Sequence, residues 1–269
     1  NTATVVATAT NGTETATDTD DANYYVLPSE DCVGVGTPGF WSNNGAVFWD
    51  GIQGNETKAG KPGFADGELL YAVDSNGDGV LDGSDVKGLL VGDYNHNGLT
   101  DAGEDTLFIS LGDARTLINA SQKQQGDGKY MLGRDVVATW LNYLANGGSE
   151  GSTACIDRPG TSDDGFNPKH FIDDAIDWLQ TFAGSRGNGA QTLADNATNE
   201  AFDNLWLGSI AVKTSSSYWS TAVNGVADHS AGAMHSALDA YNNTGIINGV
   251  EFCCDRDNAD AMFALQQIA

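Results

Sequence analysis

The sequence predicts a mixed α+β protein, in which an N-terminal β-hairpin arm is followed by a mainly helical, loop-rich domain. Residues 1–27 alternate threonine with small apolar residues, as strands do, whereas most later segments repeat apolar residues at helical spacing. Two stretches rich in Asp, Asn and Gly, at 74–85 and 93–104, interrupt this pattern. The 269 residues, 40% of them hydrophobic, suffice for one large domain with a smaller module.

The arm is predicted from the runs TATVVATAT and TETATDTD, which flank the dipeptide Asn11-Gly12. Because Asn and Gly tolerate positive φ, this dipeptide between alternating runs is a strong hairpin signal. A two-stranded hairpin is marginally stable in water, so we expect the arm to pair with further strands. Pro28 and the acidic pair Glu30-Asp31 mark the boundary between the arm, 1–27, and the second domain, 28–269.

After Cys32 the strand signal fades and helical periodicity follows. The clearest helix has Asn167 as its cap and Pro168 at its first position, with Asp173, Asp174 and Asp177 on the side opposite the apolar residues. Helices are predicted at about 105–121, 130–146, 169–183, 199–213, 228–242 and 257–268.

Aromatic residues cluster among glycines in the segments GTPGFW and AVFWDG. We expect them to form core beneath a loop-rich segment. An alternative is that Trp41 and Trp49 present a platform for sugars.

The two acidic stretches, DSNGDGVLDGSD and DYNHNGLTDAGE, have the spacing of calcium-binding loops. Such a loop places oxygen ligands at positions 1, 3, 5, 9 and 12, a backbone carbonyl at position 7 and glycine at position 6. The predicted ligands of the first Ca²⁺ are Asp74, Asn76, Asp78, the carbonyl of Val80, Asp82 and Asp85. Those of the second Ca²⁺ are Asp93, Asn95, Asn97, the carbonyl of Leu99, Asp101 and Glu104. Position 9 often ligates through water, so Asp82 and Asp101 would act indirectly.

Residues 74–85 resemble a dockerin calcium loop, and residues 93–104 resemble a more general EF-hand loop. Only Val86 to Gly92 separate the two loops, whereas dockerin repeats have a longer intervening helix. The resemblance therefore implies a structural calcium clamp rather than recognition of a cohesin partner. Residues 1–27 resemble the last strands of immunoglobulin-like repeats in bacterial surface proteins, which implies that the preceding strands of such a domain either lie outside this sequence or are supplied by another molecule.

The four cysteines are Cys32, Cys155, Cys253 and Cys254, and none has the spacing of a zinc knuckle. A bridge between the adjacent Cys253 and Cys254 would be strained, so each is expected to pair with Cys32 or Cys155, in an order left open. Two such disulfides would indicate an oxidising, extracellular compartment. Four buried reduced thiols in a cytosolic protein are the alternative.

The formal net charge of -25 argues against nucleic acid and anionic lipid as partners. The sequence contains no run of about 18 apolar residues, so no membrane-spanning helix is predicted. No catalytic constellation is recognised: GGSEG at 147–151 lacks a preceding strand, and His229 and His235 are outside any HExxH motif.

These observations together predict an extracellular calcium-binding structural protein, either a filament subunit or an adhesin module. The arm would add its strands to a copy of the chain or to a neighbouring surface-protein domain. The chain opens on Asn1, so we expect it to be processed or to be a piece of something longer. The alternative function is a secreted carbohydrate-binding or carbohydrate-active protein with structural calcium.

Overall fold

The computed structural model describes the larger part of the chain, in two compact units, Asn1–Asp31 and Cys32–Ala269. The fold is mixed α+β, as the sequence predicts. The residues described are 2–8, 15–21, 35–56, 67–74, 78–101, 103–120, 126–146, 148, 156–157, 167–182, 211–223 and 229–252. All four cysteines lie outside these residues, so the disulfides remain a prediction.

The first unit is an antiparallel hairpin of β1 (Thr2–Thr8) and β2 (Thr15–Asp21). Pairing runs from Thr2 opposite Asp21 to Thr8 opposite Thr15, a register that is symmetric about the Asn11-Gly12 dipeptide. Within the described residues these two strands form a sheet of their own.

The second unit begins with helix α1 (Pro38–Ser42) and a 3₁₀ turn (Asn44–Phe48). Strands β3 (Tyr71–Val73), β4 (Val86–Val91) and β5 (Leu107–Ser110) form an antiparallel sheet in the order β3-β4-β5. The other elements within the described residues are α2 (Leu111–Ile118), α3 (Gly128–Ala145), α4 (Pro168–Phe182), α5 (Ser217–Ser220), α6 (Ala231–Thr244), β6 (Ile246–Ile247) and β7 (Val250–Glu251).

This three-stranded sheet corrects two expectations, that strand structure ends near Cys32 and that one helix covers 105–121. Residues 107–110 are β5, and α2 starts only at Leu111, where the Ser110 hydroxyl accepts the Asp113 N–H. Short apolar runs that are buried on both faces have no strand-like alternation, so periodicity does not separate them from helix. Leu107, Phe108 and Ile109 form such a run and are all buried.

Helices α3, α4 and α6 follow the sequence prediction closely, whereas the short helices α1 and α5 are not predicted from the sequence. α4 begins at Pro168, and α6 begins after Ser230, whose hydroxyl accepts the Ala233 N–H. Residues 211–213, the described end of the helix predicted at 199–213, are not helical, and the helix predicted at 257–268 lies outside the described residues. No helix in the described part of the chain is both long and apolar enough to cross a bilayer.

α3 is the central helix, and α2, α4 and α6 pack around it with Trp41 and Trp49 in the same core. Both tryptophans are buried, at 0% and 1% exposure. The Trp41 indole N–H donates to Asn142 Oδ1 at 3.0 Å, and that of Trp49 donates to the Trp41 carbonyl at 3.0 Å. The interpretation of these residues as core is confirmed, and the alternative of an exposed sugar platform is wrong.

Candidate metal centre

The two acidic loops are consecutive connections of one sheet. The first joins β3 to β4, and the second joins β4 to β5. Strands therefore flank both loops, whereas helices flank an EF-hand loop. Of the twelve predicted ligands only Asn76 lies outside the described residues.

The described part of the first loop is hydrogen-bonded to the carboxylate of Asp74, a residue that is 4% exposed. One oxygen of Asp74 accepts the Asp78 N–H at 3.2 Å, and the other accepts the Gly79 N–H at 2.7 Å. Gly79, at position 6, has φ +80°, which glycine adopts without the strain of a side chain. The position-1 carboxylate thus fixes the turn at positions 5 and 6.

The later carboxylates of the first loop are held by local backbone donors. Asp85 Oδ2 accepts the Asp82 N–H at 2.6 Å, and Asp82 Oδ1 accepts the Ser84 N–H at 2.7 Å. The Ser84 hydroxyl donates to the same oxygen at 2.7 Å, and the two Ser84 hydrogen bonds lower the pKa of Asp82. Both side chains are therefore fixed close to the loop backbone.

The second loop repeats the same geometry around Asp93, which is completely buried. Asp93 Oδ1 accepts the Asn97 N–H at 3.1 Å, and Asp93 Oδ2 accepts the Gly98 N–H at 2.8 Å. Gly98 has φ +75°. Positions 1, 5 and 6 are therefore arranged alike in the two loops.

Three further predicted ligands of the second loop lie together. The side-chain amides of Asn95 and Asn97 each donate to Asp101 Oδ2 at 2.7 Å. Their amide oxygens accept backbone N–H groups, from Asn97 at 3.0 Å and from Leu99 at 2.8 Å. The structure thus brings positions 3, 5 and 9 into contact.

Glu104, the predicted ligand at position 12, has a carboxylate oxygen without a hydrogen-bond donor among the described residues. Its Oε2 atom is buried and has no hydrogen-bond partner in the described part of the structure. Burial raises the pKa of Glu104, and the negative charges of Asp93 and Asp101 raise it further. A buried carboxylate oxygen without a donor is costly, and a cation would remove that cost.

The second loop is anchored on the helical core through Tyr94. The Tyr94 hydroxyl donates to Asp173 Oδ1 on α4 at 2.6 Å, and the Tyr143 hydroxyl on α3 donates to the Tyr94 carbonyl at 3.0 Å. The Lys169 ammonium lies 4.4 Å from the centre of the Tyr94 ring and 2.8 Å from Asp173. The loop is therefore fixed to two helices.

Within the described residues, no three His, Cys, Asp or Glu side chains are grouped so that they could hold a metal ion. Calcium also takes amide and backbone carbonyl oxygens, which both loops supply. The two calcium sites therefore stay a prediction, supported by the loop geometry.

Two histidine–carboxylate contacts outside the loops are not predicted from the sequence. His229 Nδ1 contacts Asp174 on α4, and His235 Nδ1 contacts Asp135 on α3. Their partners are distant along the chain, so no local spacing reveals them. Asp174 and Asp177, predicted on the polar side of α4, are 7% and 6% exposed, because other elements cover that side.

The site has to be interpreted from its own geometry. No protein-family model, curated protein or solved structure matches this chain.

Proposed function

We propose that this chain is an extracellular calcium-binding structural protein, either a subunit of a cell-surface filament or a module of an adhesin. Each acidic loop holds one Ca²⁺, and the N-terminal hairpin adds its strands to a neighbouring molecule. The observation that carries the calcium proposal is the shared geometry of Asp74 and Asp93. Each is buried and accepts the N–H groups of positions 5 and 6.

The hydrogen bonds of these carboxylates are compatible with calcium. A carboxylate has about four lone-pair sites, so an oxygen that accepts one N–H retains capacity for a cation. The loops offer carboxylate, amide and carbonyl oxygens, a mixture that suits the flexible coordination of calcium better than the strict octahedron of magnesium.

Charge in the second loop favours a bound cation. Asp93, Asp101 and Glu104 are close enough for the first two to raise the pKa of the third. The buried Oε2 of Glu104 has no hydrogen-bond donor in the described structure. Ca²⁺ would offset the repulsion and give this oxygen a partner.

The surroundings of the second loop favour a structural role for calcium. Tyr94, the second residue of the loop, contacts α4 through Asp173 and α3 through Tyr143. A cation that stiffens this loop would hold the β3-β4-β5 sheet against the helices.

The hairpin supports assembly by strand addition. It forms a compact unit of its own and a sheet of only two strands in the described structure, which is marginal in water. The β1 sequence, TATVVAT, carries no charge, whereas the β2 sequence, TATDTDD, carries three aspartates. Charged residues protect a strand edge, so β1 is the strand suited to pair with another molecule. Repeated head to tail, such a contact gives a fibre.

Calcium titration by calorimetry tests the metal sites. The wild-type chain should bind two Ca²⁺, and the variants Asp74→Ala and Asp93→Ala should each bind one. Glu251→Gln, an exposed carboxylate outside both loops, is the control and should bind two. A wild-type chain that binds no calcium would contradict the proposal.

A further inference from the structure

Two histidine–carboxylate pairs attach the start of α6 to different helices. His229 lies next to the cap residue Ser230, and its Nδ1 contacts Asp174 of α4. His235 lies in the second turn of α6, and its Nδ1 contacts Asp135 of α3. The position of α6 therefore depends on both imidazoles.

The two imidazoles differ in their access to water. The His229 side chain is 5% exposed, and its Nε2 is buried without a hydrogen-bond partner in the described structure. The His235 side chain is 27% exposed, so its protonated ring can be hydrated.

The charges around His235 favour its protonated form. The hydrogen bond to Asp135 raises the pKa of His235, although burial opposes this, and the charge of Asp239 on α6 raises it further. Arg134 on α3 acts in the opposite direction. From α5 the neighbour is the uncharged Trp219 ring, whose centre lies 5.9 Å from the imidazole.

We propose that the His235–Asp135 pair is a pH-sensitive latch that holds α6 against α3, beside the buried His229–Asp174 contact that joins the start of α6 to α4. In its protonated form, the imidazolium of His235 faces the carboxylate of Asp135, a side chain that is 3% exposed. When His235 loses its proton, this buried carboxylate faces a neutral ring and the nearby charge of Asp239. The latch then weakens, and α6 is held less firmly.

The direction of this pH dependence follows from the linkage between proton binding and folding. A histidine whose pKa is raised on folding stabilises the fold below its unfolded pKa, and this stability is lost as the pH rises through the folded value. Burial also raises the pKa of Asp135, which favours the fold at lower pH as well. The two shifts have the same sign, so α6 is held more firmly at acidic pH, and the part that belongs to His235 is lost as the pH rises through its raised pKa.

Thermal unfolding and hydrogen exchange of the full chain between pH 6 and 9, at constant excess calcium, test the latch. The wild-type Tm should fall between pH 6 and pH 9, by about 3–5 °C for each unit that folding adds to the pKa of His235. His235→Gln should remove the slope. The matched variant His229→Gln should lower Tm but keep the slope. Hydrogen exchange in α6, corrected for its intrinsic pH dependence, should rise with pH in the wild type and in His229→Gln, but not in His235→Gln.

A wild-type slope that persists in His235→Gln, or that disappears in His229→Gln, would overturn the proposal. An NMR titration of the four histidines of the wild-type chain gives a test that needs no variant. One imidazole should titrate above 6.5, the ordinary pKa of histidine. If none does, the latch does not exist.

Discussion

The backbone N–H of Asp74 donates to the carbonyl of Gly98 at 2.9 Å. The first residue of one acidic loop is thus hydrogen-bonded to the turn residue of the other. The rings of Tyr71 and His96, from the adjoining strand and the second loop, lie 3.8 Å apart at their centres. The two loops are therefore neighbours in space, and a disturbance at Gly98 should reach both.

Gly98→Ala should destabilise the chain by more than about 3 kcal/mol. Gly98 has φ +75°, and an added Cβ would overlap the carbonyl oxygen of Ala72, so the substitution combines backbone strain with a steric clash. Chemical denaturation measures the loss, and calcium titration should show weaker binding at both loops.

Gly79→Ala is the matched control for this substitution. Gly79 occupies the same position of the first loop with φ +80°, but no atom lies within 4 Å of an added Cβ. It should therefore cost only the backbone strain, about 1–2 kcal/mol. Equal losses of unfolding free energy in the two variants would show that the clash of the added Cβ with the Ala72 carbonyl contributes nothing.

Tyr94→Phe should lower the free energy of unfolding by about 1–3 kcal/mol. The substitution removes the hydroxyl that donates to Asp173 at 2.6 Å and leaves a largely buried carboxylate with one donor fewer. Tyr218→Phe, at a tyrosine that is 39% exposed, is the control and should change stability by less than about 0.5 kcal/mol. If Tyr94→Phe is as mild as the control, the loop is not anchored through this hydroxyl.

The elements predicted best from sequence are those with local signals. Pro168 marks the start of α4, and Asn11-Gly12 lies at the centre of the hairpin register. The sheet was missed because β3 and β5 contain only 3 and 4 residues, too few for a period to show. The pairing of His235 with Asp135 spans 100 residues, so only the packing of α6 on α3 brings them together.

Asn142→Ala should destabilise the chain by more than about 3 kcal/mol, because it leaves several buried polar groups without partners. Asn142 Oδ1 accepts the Gly36 N–H at 2.6 Å and the Trp41 indole N–H at 3.0 Å. Its Nδ2 donates to the Gly36 carbonyl at 3.0 Å and to Asn242 Oδ1 at 2.9 Å. One amide thus joins the segment before α1 to α3 and α6.

Asn243→Ala is the control for Asn142→Ala, since Asn243 is exposed and, among the described residues, its side-chain amide donates to Asp239 of the same helix, α6. Denaturant unfolding should show a loss below about 1 kcal/mol for this control. Similar losses in both variants would mean that the buried amide does not hold these segments together.

Deletion of residues 1–27 should abolish assembly without unfolding the second unit. Residues 1–31 form a separate compact unit, so their removal leaves the described core of α2, α3, α4 and α6 intact. Electron microscopy should show fibres of the full chain in calcium, and single particles of the truncated chain.

Thermal unfolding and calcium titration provide the control for this deletion. Both should match those of the full chain, because the loops and their anchors lie in the second unit. A single β1 substitution, Val5→Lys, places a charge in the uncharged strand and should block assembly in the same way, whereas Thr17→Lys in the acidic β2 should not. Fibres that persist after the deletion would show that assembly does not use the hairpin, while two bound Ca²⁺ in the same sample would leave the calcium sites supported.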